Sequence, residues 1–220
     1  MIRVIVADDH PIVREGLRRI LERQVGIEVV AEAARGDALP LLARERNADV
    51  VVLDIGMPGP DFLELIPEIL AARSGARVLV LSGHPEEAYA VHALRAGAAG
   101  YLNKADATDS LVEAVRRVQG GGRYISAALA ERLAQQVARD DGTPGHFKLS
   151  GRELEVLRFM GAGLSQKEIA ARLDVNAKTI STYRSRILSK LELRTTADLV
   201  RYAVEHHLVS DPAAPGHDAG

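Results

Sequence analysis

Ile2-Arg3-Val4-Ile5-Val6-Ala7-Asp8-Asp9 is the stretch that decides the fold. An aliphatic run without polar alternation fits a strand covered on both faces, and the two carboxylates after it mark its end. The pattern recurs at residues 27–31, 49–53, 77–81 and 98–102. Between these runs lie stretches with helical spacing. In residues 11–21, Ile12, Leu17, Ile20 and Leu21 form one stripe, and Pro11 suits a first helical turn. Residues 37–46, 61–72, 86–96 and 108–118 read the same way. Strand–helix alternation repeated five times predicts an α/β doubly wound, five-stranded parallel sheet with helices on both faces.

Composition agrees with a globular chain. Of 220 residues, 47% are hydrophobic and 26% charged, enough to bury a core. Cysteine is absent, which excludes disulfides, thiolate metal sites and a cysteine nucleophile. Aromatics make up 4% and tryptophan is absent, which argues against stacking platforms for single strands or sugars. No run approaches the roughly 18 apolar residues of a membrane helix, and the start lacks a charged-then-apolar segment. The expectation is a cytoplasmic protein without membrane contact. The net charge of −2 hides a division: residues 1–122 carry 14 basic and 18 acidic side chains, whereas residues 148–210 carry 11 and 7. A basic second half points to an acidic partner.

The second half is helical in short pieces. Gly120-Gly121-Gly122 closes the first domain, residues 1–120. Residues 121–147 read as a linker with a helix over 127–137 and a flexible stretch over 140–145. Ser150 with Glu153, and Ser165 with Glu168, are capping boxes for two helices. Asn176 caps a third helix reaching about Leu191, and a fourth spans 196–206. Together they predict a small four-helix domain over residues 148–210. The tail, 211–220, reads as disordered.

The polar residues at the ends of the apolar runs carry the chemistry: Asp8-Asp9, Asp54, Ser82 and Asn103-Lys104. In an open α/β sheet, ligands bind beyond the carboxyl ends of the strands where the strand order reverses. With the order 2-1-3-4-5, Asp8, Asp9 and Asp54 converge there, with Ser82 and Lys104 on the far rim. Three carboxylates in one cleft repel unless a cation joins them, and magnesium prefers a few hard oxygens together with a phosphate. Lys104 and Ser82 suit a phosphoryl group, and an Asp in this setting can be the nucleophile that forms an aspartyl-phosphate.

Residues 1–120 resemble the receiver domain of bacterial two-component response regulators, with its flavodoxin-like fold. Asp8-Asp9, Asp54-Ile55-Gly56-Met57-Pro58-Gly59, Ser82-Gly83 and Gly100-Tyr101-Leu102-Asn103-Lys104 carry the resemblance. It implies that Asp54 accepts a phosphoryl group from a histidine kinase. It implies Mg2+ on Asp9, Asp54 and the Gly56 carbonyl, with Asp8 helping directly or through water. Ser82 and Lys104 would bind phosphoryl oxygens, and Tyr101 would be the switch aromatic that turns inward. Read alone, Tyr101 is a half-buried strand residue. Two positions depart from the family: Phe62 follows Asp61 where Gly is frequent, and Gly56 puts no side chain beside the phosphoryl group.

Ile169, Leu173, Val175 and Ile180, with small Ala170 at the crossing, match a helix-turn-helix. From Asn176 to Lys190 there are Lys178, Arg184, Arg186 and Lys190 and no acidic residue. Leu149–Leu157, Gly163–Ala170 and Lys178–Tyr183 are similar to the DNA-binding domain of the LuxR/FixJ/NarL type. That similarity places Ser181, Thr182 and Ser185 toward bases of double-stranded DNA. It places Lys178, Thr179, Arg184, Arg186 and Lys190 among the DNA contacts, unless Glu153 braces Arg184. Leu199, Val200 and Ala203 would form a homodimer face. The leading reading is a phosphorylated transcription regulator that acts as a dimer and turns over only its own phosphoryl group; its alternative is a phosphorylation-independent regulator with a vestigial receiver. An aspartyl-phosphate hydrolase is disfavoured because its acid–base Asp is Gly56 here. A small-molecule sensor would be expected to offer an aromatic-rich cavity instead of a carboxylate cluster.

Overall fold

A computed structural model describes residues 1–83, 86–127, 129–131, 145–173, 175–206 and 208–209. Most of the expected helix over 127–137, the stretch 140–144, Asp174 and the tail 211–220 lie outside the described residues. The chain forms two compact units, residues 1–140 and 141–220. Among the described residues no helix is long and apolar enough to cross a membrane.

The first unit is built on five parallel strands: β1 (Ile2–Ala7), β2 (Ile27–Ala33), β3 (Val50–Asp54), β4 (Arg77–Ser82) and β5 (Gly100–Asn103). Their order is β2-β1-β3-β4-β5, so the order reverses at β1 and β3. Helices α1 (Pro11–Glu22), α2 (Leu39–Glu45), α3 (Phe62–Ala72) and α4 (Glu86–Arg95) connect them, and α5 (Ala107–Gln119) follows β5. Val4, Val6, Val50, Val52, Leu79, Leu81 and Leu102 share one core with Leu17 and Leu21 of α1 and Leu111 and Val115 of α5. Because side chains alternate along a strand, Ile5, Val51, Leu53, Val78 and Val80 face the other way, where α2, α3 and α4 pack. Those five are buried as well. The central strands β3 and β4 and the second half of β1 are buried on both faces, which is why they read as continuous aliphatic runs, whereas the edge strand β2 exposes Glu28 and Glu32. Pro67 sits inside α3 and cannot donate to the helix ladder; the burial of Leu65, Ile66 and Ile69 around it outweighs that loss.

The second unit contains α6 (Gly151–Gly161), α7 (Gln166–Arg172), α8 (Ala177–Lys190) and α9 (Thr196–Glu205). Both expected capping boxes form, and Thr195 with Asp198 makes a third at the start of α9. Leu154, Leu157, Ile169, Ile180, Ile187 and Leu199 form its interior with no exposed surface. Val175 does not join them; it is exposed in the turn between α7 and α8.

Two of the three residues expected at a dimer face are not on the surface. Leu199 and Ala203 are both 0% exposed. They pack toward α6, where a Cβ added at Gly161 would lie 2.6 Å from the Ala203 Cβ. Of the expected trio only Val200 keeps partial exposure, while Val204 stands 55% exposed. The apolar stripe of α9 is thus an intramolecular face, because the unit is small and needs it to close its core.

The α6–α9 crossing is close enough that only glycine fits at 161. Gly161→Ala gains helix propensity but forces the helices apart, so urea unfolding should show a net loss of about 1–2 kcal/mol. An unchanged or raised midpoint would show that the crossing has slack.

Candidate functional site

The parallel register brings the polar residues together. Ala7 pairs with Leu53, Asp54 with Leu81, and Ser82 with Asn103, so the ends of β1, β3, β4 and β5 lie along one edge. Asp8 follows β1, Asp54 ends β3, Ser82 ends β4 and Lys104 follows β5. Asp8 and Ser82 are 0% exposed and Asp54 is 5% exposed. The Lys104 Nζ lies 2.7 Å from Asp8 Oδ2 and 3.0 Å from Asp54 Oδ2. Asp9, more open, completes the group.

Main-chain bonds hold this edge in place. The Asp8 N–H donates to the Ala33 carbonyl at 3.1 Å, tying the first loop to β2. The Asp8 carbonyl accepts from Arg14 Nη1 at 2.7 Å, and Arg14 is itself paired with Glu32. Asp61 caps α3: its carboxylate accepts from the Leu63 N–H at 2.9 Å. Gly59 has a φ of +127°, a conformation open to glycine, and a Cβ there would lie 3.2 Å from the Gly36 nitrogen. Phe62, where the receiver pattern often has glycine, is buried edge-on against Tyr89 of α4. Tyr101 is fully buried, not half-buried, on the sheet face that carries Val80.

Electrostatics follow from this packing. Burial pushes the Asp54 carboxyl above its usual range; Lys104 pulls it back, and Asp8 pushes it further up. Burial works against the Lys104 ammonium, but Asp54 and Asp8 outweigh it and hold its pKa above the usual lysine value. The pocket therefore sets the firmly charged Lys104 against three carboxylates, a deficit that a divalent cation would fill. Ligand atoms of Asp8, Asp9, Asp54 and His10 lie within 4.8 Å of one another. A Cβ at Gly56 would lie 3.4 Å from Asp54 Oδ2, so no side chain crowds that oxygen from this position. Sequence reasoning missed His10 and Arg14; the adjacency of His10 to Asp8-Asp9 was the available signal.

In the second unit, the Asn176 side chain caps α8 by accepting from the Thr179 N–H at 2.8 Å. Lys178, Ser181, Thr182, Ser185 and Arg186 are exposed on this helix, and Thr179 and Arg184 partly so. The Thr182 and Ser185 hydroxyls donate back to the Lys178 and Ser181 carbonyls, which leaves their oxygens free to accept. The expected brace between Glu153 and Arg184 does not form. Glu153, 3% exposed, pairs with Lys190 Nζ at 2.6 Å, and Arg184 Nε donates to Thr196 Oγ1 at 2.8 Å. Six positions along a helix of 3.6 residues per turn put these two cations on different faces, and Lys190 is the one that meets α6.

The raised Asp54 pKa has a consequence for stability. The folded state holds this proton more tightly than the unfolded chain does. Stability therefore falls as pH rises from the ordinary carboxylate range through the raised value. Without divalent cations, Asp54→Asn should melt a few degrees above the wild type near neutral pH, with the gap closing in acid. Equal melting at all pH values would mean that the carboxylate is not strained.

Comparison with known proteins supplies the family. Residues 4–116 match the response regulator receiver domain, and residues 148–203 match the luxR family of bacterial regulatory proteins. The response regulator UvrY of Escherichia coli is 37% identical over 209 residues, covering 94% of this chain and 96% of that protein. The response regulator GacA of Pseudomonas aeruginosa is 35% identical over 210 residues, covering 95% and 98%. Among solved structures, RcsB of Salmonella enterica serovar Typhimurium, bound to the promoter rprA with a phosphomimetic, aligns with a TM-score of 0.58 and 29% identity. That match covers 93% of this chain and 99% of RcsB. The chain belongs to the two-component response regulators of the NarL/FixJ type, which join a receiver domain to a LuxR-family helix-turn-helix domain.

Proposed function

We propose that Asp54 is the phosphoacceptor of this response regulator, supplied by a sensor histidine kinase, and that its phosphorylation controls transcription through α8. In this reading residues 1–120 are the receiver, 121–147 the linker and 148–210 the DNA-binding domain, in a cytoplasmic protein. The observation that carries it is the convergence of Asp8, Asp54 and Lys104 at the reversal point of the sheet, with Asp54 buried beside the Lys104 ammonium.

Asp8, Asp9, Asp54 and the Gly56 carbonyl would hold Mg2+, which neutralises charge on the transferring phosphoryl group when bound. An Asp54 carboxylate oxygen attacks the phosphorus of a phosphohistidine whose other ring nitrogen carries a proton; the P–N bond breaks with its electron pair going to nitrogen, an acyl phosphate forms, and neutral imidazole leaves. Lys104 exchanges its ion pair with Asp54 for phosphoryl oxygens, and the Ser82 hydroxyl donates to another. Lys104 keeps its charge throughout because acidic groups surround it. Movement of Ser82 toward the phosphoryl group would be read by Tyr101 on the neighbouring strand β5. The chain promotes only its own phosphorylation and dephosphorylation. The phosphoryl group then shifts a population between two arrangements, favouring a homodimer on paired half-sites of promoter DNA.

On DNA, Ser181, Thr182 and Ser185 face base edges, and Lys178, Arg184 and Arg186 face phosphates, with Thr179 beside them at the helix start. Lys190 leaves the phosphate set because Glu153 holds it.

The phosphoacceptor assignment is tested by incubating the full chain with a small-molecule phosphodonor and magnesium, then resolving phosphoprotein on a phosphate-affinity gel. Wild type should shift and Asp54→Asn should not; a shifted Asp54→Asn variant refutes the assignment. If neither protein shifts while a target promoter is still bound, the receiver is vestigial. The DNA face is read from the salt dependence of promoter binding. Lys178→Ala and Arg186→Ala should each lower the slope of log K against log salt by about 0.9 for every phosphate no longer neutralised. Lys190→Ala should leave that slope unchanged, and an equal drop for it would overturn the Glu153 brace.

A further inference from the structure

The cations of the second unit are held in two ways. Arg152 pairs with Glu155, Lys190 with Glu153 and Arg201 with Asp198, so each of these meets a carboxylate. Arg184 differs. Among the described residues its guanidinium forms no ion pair, and its Nε donates to Thr196 Oγ1 at 2.8 Å. A carboxylate orients a cation and cancels its charge; a neutral hydroxyl orients it and leaves the charge in place. With Nε committed to Thr196, the N–H bonds of both Nη groups are left for a further acceptor.

Thr196 is the first residue of α9, and its position is fixed from both sides. The Asp198 N–H donates to Thr195 Oγ1 at 3.1 Å, and the Thr195 N–H donates to Asp198 Oδ2 at 3.0 Å. That capping box draws on Thr195 and Asp198 and leaves the Thr196 hydroxyl to Arg184. Further along the helix, Leu199 and Ala203 root α9 in the interior with no exposed surface. The Arg184 side chain, on the exposed side of α8, is thus tied through one hydroxyl to a helix anchored in the core.

We propose that Thr196 is a positioning residue for DNA binding, which presents the Arg184 guanidinium with its charge intact to a backbone phosphate. The inference rests on the reading that α8 binds DNA with Arg184 facing a phosphate. A free arginine gives up rotamer freedom when it meets a phosphate, whereas one held beforehand has already given it up on folding. The planar fork can keep Nε on the hydroxyl while an Nη group meets the phosphate, a division that a lysine ammonium does not reproduce.

The test titrates the full chain into a short fluorescein-labelled DNA duplex of random sequence, read by anisotropy, because a phosphate contact does not depend on sequence. Thr196→Val, close to threonine in shape, should raise Kd about three- to tenfold and leave the slope of log K against log salt unchanged. Thr196→Ser, which keeps the hydroxyl, should bind as the wild type does. Arg184→Lys keeps the charge and loses the fork, so it should match Thr196→Val, and it carries the test if circular dichroism shows the valine variant unfolded. Arg184→Ala should lower the slope by about 0.9, and adding Thr196→Val to it should weaken binding no further. An unchanged Kd in folded Thr196→Val or in Arg184→Lys overturns the proposal. So does a further loss in the Arg184→Ala background, which would mean that Thr196 acts independently of Arg184. A wild-type slope in Arg184→Ala instead removes Arg184 from the phosphate set, so the underlying reading fails at that residue.

Discussion

Carboxylates held together out of water are the constraint on which the first unit turns. Asp8 and Asp54 are 0% and 5% exposed, and repulsion between them is relieved by the Lys104 ammonium. Such an arrangement is costly unless every element beneath it is rigid. The dry, doubly covered sheet supplies that rigidity, with Val4, Val6, Val50, Val52, Leu79 and Leu81 locking three central strands in register. Burial and the neighbouring Asp8 make the Asp54 carboxyl resist ionisation, a penalty that a cation beside it would reduce.

The second unit depends in the same way on a different carboxylate. Glu153 accepts from the Ser150 N–H in the capping box of α6 and pairs with Lys190 at the end of α8. One buried side chain therefore ties the start of one helix to the end of another and sets the angle at which α8 is presented. The back-bonded hydroxyls of Thr182 and Ser185 fix the polarity of that exposed face. What α8 offers to a partner is a set of acceptors flanked by Lys178 and Arg186.

Much of this was legible before any coordinates. The five strands stand within two residues of the aliphatic runs, and the match is tightest in the centre of the sheet, where a strand buried on both faces has little freedom to be polar. Asp8, Asp54, Ser82 and Lys104 were legible because each sits where an apolar run stops. The errors have a common cause. Val175 and the pair Leu199 and Ala203 are all apolar and suitably spaced, yet one is exposed and two are interior. Periodicity reports which residues share a face, not what that face meets. Glu153 was legible as a brace, but the choice between Arg184 and Lys190 depends on where α8 crosses α6.

The sequence by itself determined the classes: a parallel sheet, a carboxylate and lysine set at its carboxyl edge, and a basic helix behind capped scaffold helices. These are local properties, written in hydrophobic period, capping pairs and residue type. Tertiary structure alone decided the pairings. His10 approaches Asp9, Arg14 holds the Asp8 carbonyl, Lys190 meets Glu153, and α9 turns Leu199 and Ala203 inward. Lys190–Glu153 and the packing of α9 join segments far apart in the chain, and even the local contacts of His10 and Arg14 depend on how the loop after β1 is turned. Burial and charge act over distances of a few ångströms, whatever the separation in sequence.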